Sequence, residues 1–120
     1  MANPLEGHWI NPANSVVILV EPCERSYCGR VVWASDEAKA DAARGSGRLM
    51  GTRLLWDVRP QGANRWKARL YIPDAKREVE GRIQLLRDGR MEITGCVLLG
   101  TVCRSQVWSP VLPVPGSVSN

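Results

Sequence analysis

The chain has 120 residues, of which 44% are hydrophobic and 23% charged, and its formal net charge is +4. This length predicts one domain with a modest core, and the composition excludes an intrinsically disordered chain. The longest apolar run, residues 16–20, is far shorter than the roughly 18 residues of a membrane-spanning helix, so no transmembrane segment is expected. The basic residues are mostly arginines scattered singly, which indicates solvated strand faces and no specific nucleic-acid site.

The first elements in chain order are strands. Residues 7–10 open the predicted domain, and residues 11–14 (NPAN) form a turn. Residues 15–21 are rich in β-branched side chains and predict a strand. Residues 30–33 (RVVW) predict another strand after a polar turn.

A short helix is predicted after these strands. Ser35 is a suitable N-cap, and Asp36 and Glu37 complement the positive end of the helix dipole. Alanines fill the middle of the segment, Arg44 suits its negative end, and Gly45 can terminate it. No other segment shows a comparable helical pattern.

The remaining chain alternates apolar and polar residues with a period of two, which is typical of half-buried strands. Residues 59–64 and 73–76 are predicted turns, and Asp88-Gly89 predicts a tight hairpin. Three prolines in residues 109–120 predict an extended, mobile tail. The strands predicted here are residues 50–58, 66–72, 78–85, 90–94 and 102–108.

About eight short strands joined by tight turns predict a mainly β fold, an antiparallel up-and-down barrel or a related sandwich, with one short helix after the third strand. A closed barrel is favoured because closure removes exposed strand edges. The predicted organisation is an N-terminal extension (residues 1–6), a single β-barrel domain (residues 7–109) and a proline-rich C-terminal tail (residues 110–120).

The four cysteines fall into two local pairs, Cys23 with Cys28 and Cys96 with Cys103. Each pair encloses a turn, which favours two short-range disulfides; a zinc site is the alternative, although the second spacing suits zinc poorly. Disulfides indicate an oxidising compartment. Residues 1–5 lack the features of a signal peptide. Because the disulfides nevertheless indicate an oxidising compartment, we expect a periplasmic or secreted protein whose signal peptide was removed.

The sequence resembles a bacterial family known as domain of unknown function 2147. The segments that carry the resemblance are residues 28–33 (CGRVVW), residues 95–96 (GC) and residues 103–108 (CRSQVW), with Gly7, Trp9, residues 48–51, Trp66, Tyr71 and Pro73 in order between and around them. Members are typically small exported proteins, and the resemblance implies no activity. The chain departs from the family pattern in the alanine-rich segment after Trp33 and in residues 75–79 (AKREV).

A weaker likeness links the chain to lipocalin- and streptavidin-like barrels. These begin with Gly-x-Trp on the first strand and place an arginine of the last strand against that tryptophan. Gly7, Trp9 and Arg104 occupy such positions. The resemblance therefore implies a cation–π contact between Trp9 and Arg104 that closes the base of the barrel.

The leading functional hypothesis is the binding of a small amphipathic or anionic ligand. Alternation places Arg104, Gln106 and Trp108 on one strand face, where they form either a structural network closing the barrel or part of a ligand pocket. The residues predicted to line such a pocket are Trp9, Arg30, Trp33, Tyr71, Arg104, Gln106 and Trp108.

Two other classes of function stay open. The loop between Cys23 and Cys28, with Arg25 and Tyr27 exposed, could dock an envelope protein as an interaction or inhibitor module. An enzyme is less favoured, because the sole histidine, His8, is expected to face solvent opposite Trp9. Glu78 and Glu80 are expected on a solvated outer face, so no catalytic residue, metal or cofactor is predicted.

Overall fold

The computed structural model describes residues 4–45, 48–72, 76–97 and 102–112. Eight antiparallel strands form a closed barrel in which each strand pairs with its neighbours in sequence and β8 pairs with β1. The predicted barrel, with a helix after the third strand, is confirmed. Its elements are β1 (Gly7–Ile10), β2 (Val16–Cys23), β3 (Ser26–Ala34), α1 (Asp36–Gly45), β4 (Arg53–Gly62), β5 (Arg65–Ile72), β6 (Arg77–Leu85), β7 (Met91–Val97) and β8 (Val102–Val111).

Because the strands alternate in direction, their connections divide between two ends of the barrel. We call one the open end: it carries the β1–β2, β5–β6 and β7–β8 connections, helix α1 and residues 48–52. We call the other the closed end: it carries the β2–β3, β4–β5 and β6–β7 turns and residues 4–6. This division decides which side chains can meet around a site.

The barrel interior is lined by the apolar residues of each alternating pattern. On β5, Trp66, Ala68 and Leu70 are buried, whereas Lys67 is exposed. The same alternation on β6 buries Val79, Gly81 and Ile83. The inward residues of neighbouring strands are aligned by register, so they form one continuous core.

The closed end is packed around a residue that precedes the first strand. Leu5 is 0% exposed and belongs to the same core cluster as Trp9, Ile83 and Met91. The Trp9 indole Nε1–H donates to the carbonyl oxygen of Leu5 over 2.9 Å. The N-terminal segment therefore forms part of the core; the predicted domain boundary at residue 7 stays a prediction.

Helix α1 is attached to the open end by a narrow apolar face. The Ser35 hydroxyl accepts a hydrogen bond from the Ala38 N–H over 3.1 Å, so Ser35 is the N-cap, as predicted. Ala42 is buried in the core cluster, and Ala38 packs against it. Within the described residues, no helix is long and apolar enough to span a membrane.

Two predicted boundaries were wrong because strand pairing continues through prolines. β4 extends to Gly62, since Pro60 pairs with Trp66 after a register shift, so the predicted turn shrinks to Ala63-Asn64. β8 extends through Pro110, which pairs with Trp9. Residues 113–120 of the predicted tail lie outside the described residues.

Both predicted disulfides are formed. Cys23 is bonded to Cys28 in the β2–β3 hairpin, with 5.8 Å between the Cα atoms. Cys96 is bonded to Cys103, directly opposite in the β7–β8 ladder, with 4.1 Å between the Cα atoms. The cysteines thus bind each other rather than zinc, and the disulfides indicate an oxidising, extracytoplasmic compartment.

A glycine inside the barrel gives the first testable prediction. A Cβ atom at Gly81 would lie 2.5 Å from Leu70 Cδ1 and 2.8 Å from the Thr94 carbonyl oxygen. We expect Gly81→Ala to lower the free energy of unfolding by about 2 kcal/mol, since overpacking outweighs the gain from losing a flexible glycine. Urea denaturation measures this.

Gly95 provides the comparison. A Cβ atom at Gly95 would lie 3.0 Å from Leu70 Cδ1 and 3.3 Å from Val79 Cγ2, and both atoms are the ends of side chains that can shift. Gly95→Ala should therefore cost less. Equal stability of the Gly81→Ala variant and the unmodified protein would contradict this prediction and show that the barrel wall shifts to accommodate the added methyl group.

Candidate functional site

A cavity of about 440 Å³ opens at the open end of the barrel, beneath helix α1. Its volume lies within the range of small-molecule sites, roughly 300–1,000 Å³. The wall combines residues of α1, of the β1–β2 connection, of the loop before β4 and of five strands. They are Asn11, Val16, Ala38, Asp41, Ala42, Leu49, Leu54, Leu55, Leu70, Tyr71, Ile72, Ile93, Gly95, Arg104, Gln106 and Trp108.

Most of the cavity wall is apolar. Leu55 and Leu70 are buried at its base, and Leu54, Ile72 and Ile93 are half-buried around it. These side chains belong to the barrel core or pack against it, so the wall is held in place by the fold itself. Such a surface gains free energy when an apolar group displaces water from it.

One strand supplies half of the six lining residues that carry polar side-chain groups. On β8, Trp108 pairs with Met91, Gln106 with Ile93 and Arg104 with Gly95, so all three point to the inside of the barrel. The Trp108 indole Nε1–H donates to the Gln106 side-chain oxygen over 3.1 Å. That bond orients the amide and leaves its N–H donors directed away from the tryptophan.

Arg104 is exposed although it lies on the inner face, because the interior is open at that point. Among the described residues it has no carboxylate within ion-pair distance. The acidic residue across the cavity, Asp41, is paired with Arg44 of the same helix. The cavity therefore presents a guanidinium and an amide as unoccupied donors, which suits an anionic group.

The structure brings four of the seven predicted pocket residues to this cavity: Tyr71, Arg104, Gln106 and Trp108. Tyr71 borders the rim, since its neighbours Leu70 and Ile72 occupy the inward positions of β5. Two roles were predicted for Arg104, Gln106 and Trp108: a structural network or part of a ligand pocket. Gln106 and Trp108 are joined by a hydrogen bond, and all three residues line the cavity. That they bind a ligand stays a prediction.

Arg30 and Trp33 do not line the cavity, contrary to prediction. Arg30 faces outward and forms an ion pair in which its Nε donates to Glu21 Oε2 over 2.9 Å. Val31 points into the core, and regular alternation would send Trp33 the same way. A β-bulge, which pairs Val31 with Ile18 but Trp33 with Val17, reverses the expected direction of Trp33.

Trp9 does not line the cavity either, and its expected contact with Arg104 is not formed. β1 pairs only with the last part of β8, where Trp9 lies opposite Pro110. Arg104 is six residues away along β8, roughly 20 Å in an extended strand. Trp9 packs the closed end, whereas Arg104 stands at the open end.

Several cavity residues were not predicted. Asp41, Ala42 and Leu49 come from α1 and the loop after it, and nothing in their local sequence shows that the helix folds back over the barrel. Leu54 and Ile93 were assigned to strands but not to a site. The position of Ile93 on the inward face of β7 could have indicated it, whereas Leu54 is adjacent to the inward Leu55, so regular alternation gives no such signal. The remaining unpredicted residues are Asn11, Val16, Ala38, Leu55, Leu70, Ile72 and Gly95.

The residues weighed for catalysis lie away from the cavity. His8 is half-buried on the strand face opposite Trp9. Glu78 and Glu80 are exposed on the outer wall, and Arg69 Nη2 donates to Glu78 Oε1 over 3.3 Å. Across the described residues, no three His, Cys, Asp or Glu side chains gather as a metal site would require.

The β2–β3 turn differs in one respect from the prediction of an exposed docking loop. Glu24 and Arg25 are exposed at its tip, but Tyr27 is half-buried and packs against the core. The disulfide therefore fixes a small charged projection without an exposed aromatic ring. Docking of an envelope protein at this turn stays a prediction.

Comparisons with known proteins support the barrel assignment. The structure is similar to that of HP1028 from the human pathogen Helicobacter pylori, described as belonging to the lipocalin family, with a TM-score of 0.68 and 13% sequence identity. The similarity covers 89% of this chain and 82% of that one, and at this identity it establishes the fold alone. No curated protein matches the sequence. The model of the family described as "Uncharacterized protein conserved in bacteria (DUF2147)" matches residues 7–109, and the chain therefore belongs to that family.

Proposed function

We propose that the protein binds a small amphipathic molecule in the cavity beneath α1, with an apolar part in the barrel and an anionic group at Arg104 and Gln106. The observation that supports this most directly is the pairing of an apolar wall with two unoccupied donors on one strand. A ligand with an apolar part and an anionic group would contact the apolar wall and accept hydrogen bonds from both donors. The proposal includes no catalytic step.

The expected binding energy has two sources. Burial of apolar surface contributes about 25 cal/mol for each Å² removed from water. A hydrogen bond from Arg104 to an anion contributes roughly 1.5–3 kcal/mol when water is excluded, and less while the site stays open. The apolar contacts therefore provide most of the affinity, and Arg104 selects for the charge.

The cavity volume limits the size of the ligand. At roughly 30 Å³ for each water-sized group, 440 Å³ accommodates about 15 non-hydrogen atoms. A single acyl chain of about ten carbons with its carboxylate fits this limit, whereas a two-chain lipid exceeds it. We propose a periplasmic or secreted location, which the two disulfides support.

A bulky side chain in the cavity tests the proposal. We expect Gln106→Trp to weaken the binding of decanoate at least about fivefold, because the indole occupies the space that the ligand needs and removes the amide donors. Isothermal titration calorimetry with the complete chain measures the affinity.

Ser105 provides the matched control, since it is the adjacent residue of β8 on the outer face, where its hydroxyl lies 2.7 Å from that of Thr94. Ser105→Trp adds the same bulk outside the barrel and should leave decanoate binding unchanged. Failure of the unmodified protein to bind decanoate or decanol at millimolar concentration would contradict an amphiphile site.

A further inference from the structure

Four exposed basic residues stand at the open end of the barrel. Arg48 precedes β4 and Arg53 begins it, and Lys76 and Arg77 stand at the start of β6. We call these four residues the basic rim. The alternating strand directions place all four at the end of the barrel where the cavity opens, although none of them lines the cavity itself.

The basic rim is not neutralised by the protein. The ion pairs formed among the described residues use Arg30, Lys39, Arg44, Arg59, Arg69 and Arg90, and no rim residue takes part. Glu78, next to Arg77, pairs instead with Arg69 of the neighbouring strand. On α1, Asp36 and Asp41 are paired within the helix, so their charges are partly compensated, and Glu37 is the acidic residue of the helix that forms no ion pair with a described residue.

Two apolar side chains are exposed at the same end of the barrel as these charges. The large hydrophobic residues that are exposed among the described residues are Met50 (39%), Val102 (45%) and Leu112 (85%). Met50 lies in the loop between Arg48 and Arg53, and Val102 begins β8 at the same open end. Leu112 follows β8 at the closed end, so it serves as a control for the other two.

We propose that the open end docks on an anionic lipid bilayer. Such a surface offers negative headgroups to the basic rim and, directly beneath them, an apolar layer for Met50 and Val102. A nucleic acid would satisfy the charges but not the exposed methionine and valine, and the aromatic side chains of the described residues are half-buried or buried, so none stands exposed at the open end to stack bases. Docking in this orientation turns the cavity mouth toward the bilayer.

Co-sedimentation of the complete chain with vesicles tests the docking. The vesicles consist of phosphatidylcholine alone or with about one-third phosphatidylglycerol. We expect binding only to the anionic vesicles, and a loss of that binding as NaCl rises from about 0.05 M to about 0.5 M. Equal binding to both vesicle types, or none to either, would overturn the proposal.

Charge-matched variants locate the surface. Arg48→Gln with Arg77→Gln should lower the partition onto anionic vesicles roughly 10- to 25-fold, at roughly fivefold for each cation. Arg65→Gln with Arg82→Gln removes the same charge from exposed, unpaired positions on the outer wall. This second pair should change the partition by less than about twofold. Equal losses would mean that net charge, not the rim, drives binding, and would overturn the proposal.

Apolar variants test insertion separately. Met50→Ser with Val102→Ser should weaken binding to the anionic vesicles several-fold at the lower salt concentration, where the unmodified protein binds, whereas Leu112→Ser should not. No effect of the double variant would exclude apolar insertion and overturn the proposed orientation. The docking is independent of the cavity ligand: Gln106→Trp should still bind vesicles, so failure of the ligand proposal and failure of the docking proposal give different results.

Discussion

Arg104→Gln is expected to weaken the binding of decanoate roughly 10- to 50-fold. Arg104 is the only cation among the described residues that line the cavity, and glutamine retains donors without the charge. A hydrogen bond to a charged group contributes roughly 1.5–3 kcal/mol, and we place the effect in the lower part of that range because Arg104 is exposed in the free protein. Isothermal titration calorimetry of the two proteins gives the ratio of affinities.

The neutral ligand decanol separates charge recognition from damage to the cavity. Its affinity should change by less than about threefold in the Arg104→Gln protein, since its hydroxyl does not need the guanidinium. Arg82→Gln, which removes an exposed cation from the outer wall, should affect neither ligand. An equal loss for decanoate and decanol would mean that Arg104 supports the wall of the cavity rather than the anion.

The barrel itself could be predicted because its strands repeat one simple pattern. Residues 66–72 and 78–85 alternate apolar and polar side chains without interruption, and both became strands with those apolar residues inside. The local spacing of the cysteines likewise predicted the two disulfides that the structure forms. Local periodicity is sufficient to predict a strand and its inward residues where one face of the strand is buried and the other is exposed to solvent.

The site could be predicted only where alternation was regular. β8 keeps its period from Arg104 to Trp108, so the three residues reach the same interior as expected. A single extra residue in β3 turned Trp33 outward, and no sequence signal marks that bulge. The helix residues of the cavity were missed because helical sequence shows that α1 forms, but not which end of the barrel it covers.

Leu5 shows the same limit at the N-terminus. One leucine between Pro4 and Glu6 has no apolar periodicity, so local sequence does not predict that it is buried; the assignment of residues 1–6 to an extension stays a prediction. Its burial is a consequence of tertiary packing: the closed end of the barrel needs an apolar group, and the chain just before β1 passes over that end. Such a contact is invisible in local sequence.

Leu5→Ala is consequently expected to lower the free energy of unfolding by about 3 kcal/mol. Truncation of a fully buried leucine costs roughly 2–5 kcal/mol, the lost transfer energy plus that of the cavity left behind. That is a large share of the roughly 5–15 kcal/mol that stabilises a typical domain. Urea denaturation, followed by tryptophan fluorescence, measures the change.

Removal of residues 1–6 should cost more than Leu5→Ala, because it also removes the carbonyl oxygen that accepts from the buried Trp9 indole. An unsatisfied buried donor adds roughly 1–3 kcal/mol. Glu6→Ala is the matched control: the side chain next to Leu5 is exposed, and its loss should change stability by less than about 0.5 kcal/mol. A shortened chain as stable as the complete one would place the start of the domain at Gly7 and leave Leu5 without a structural role.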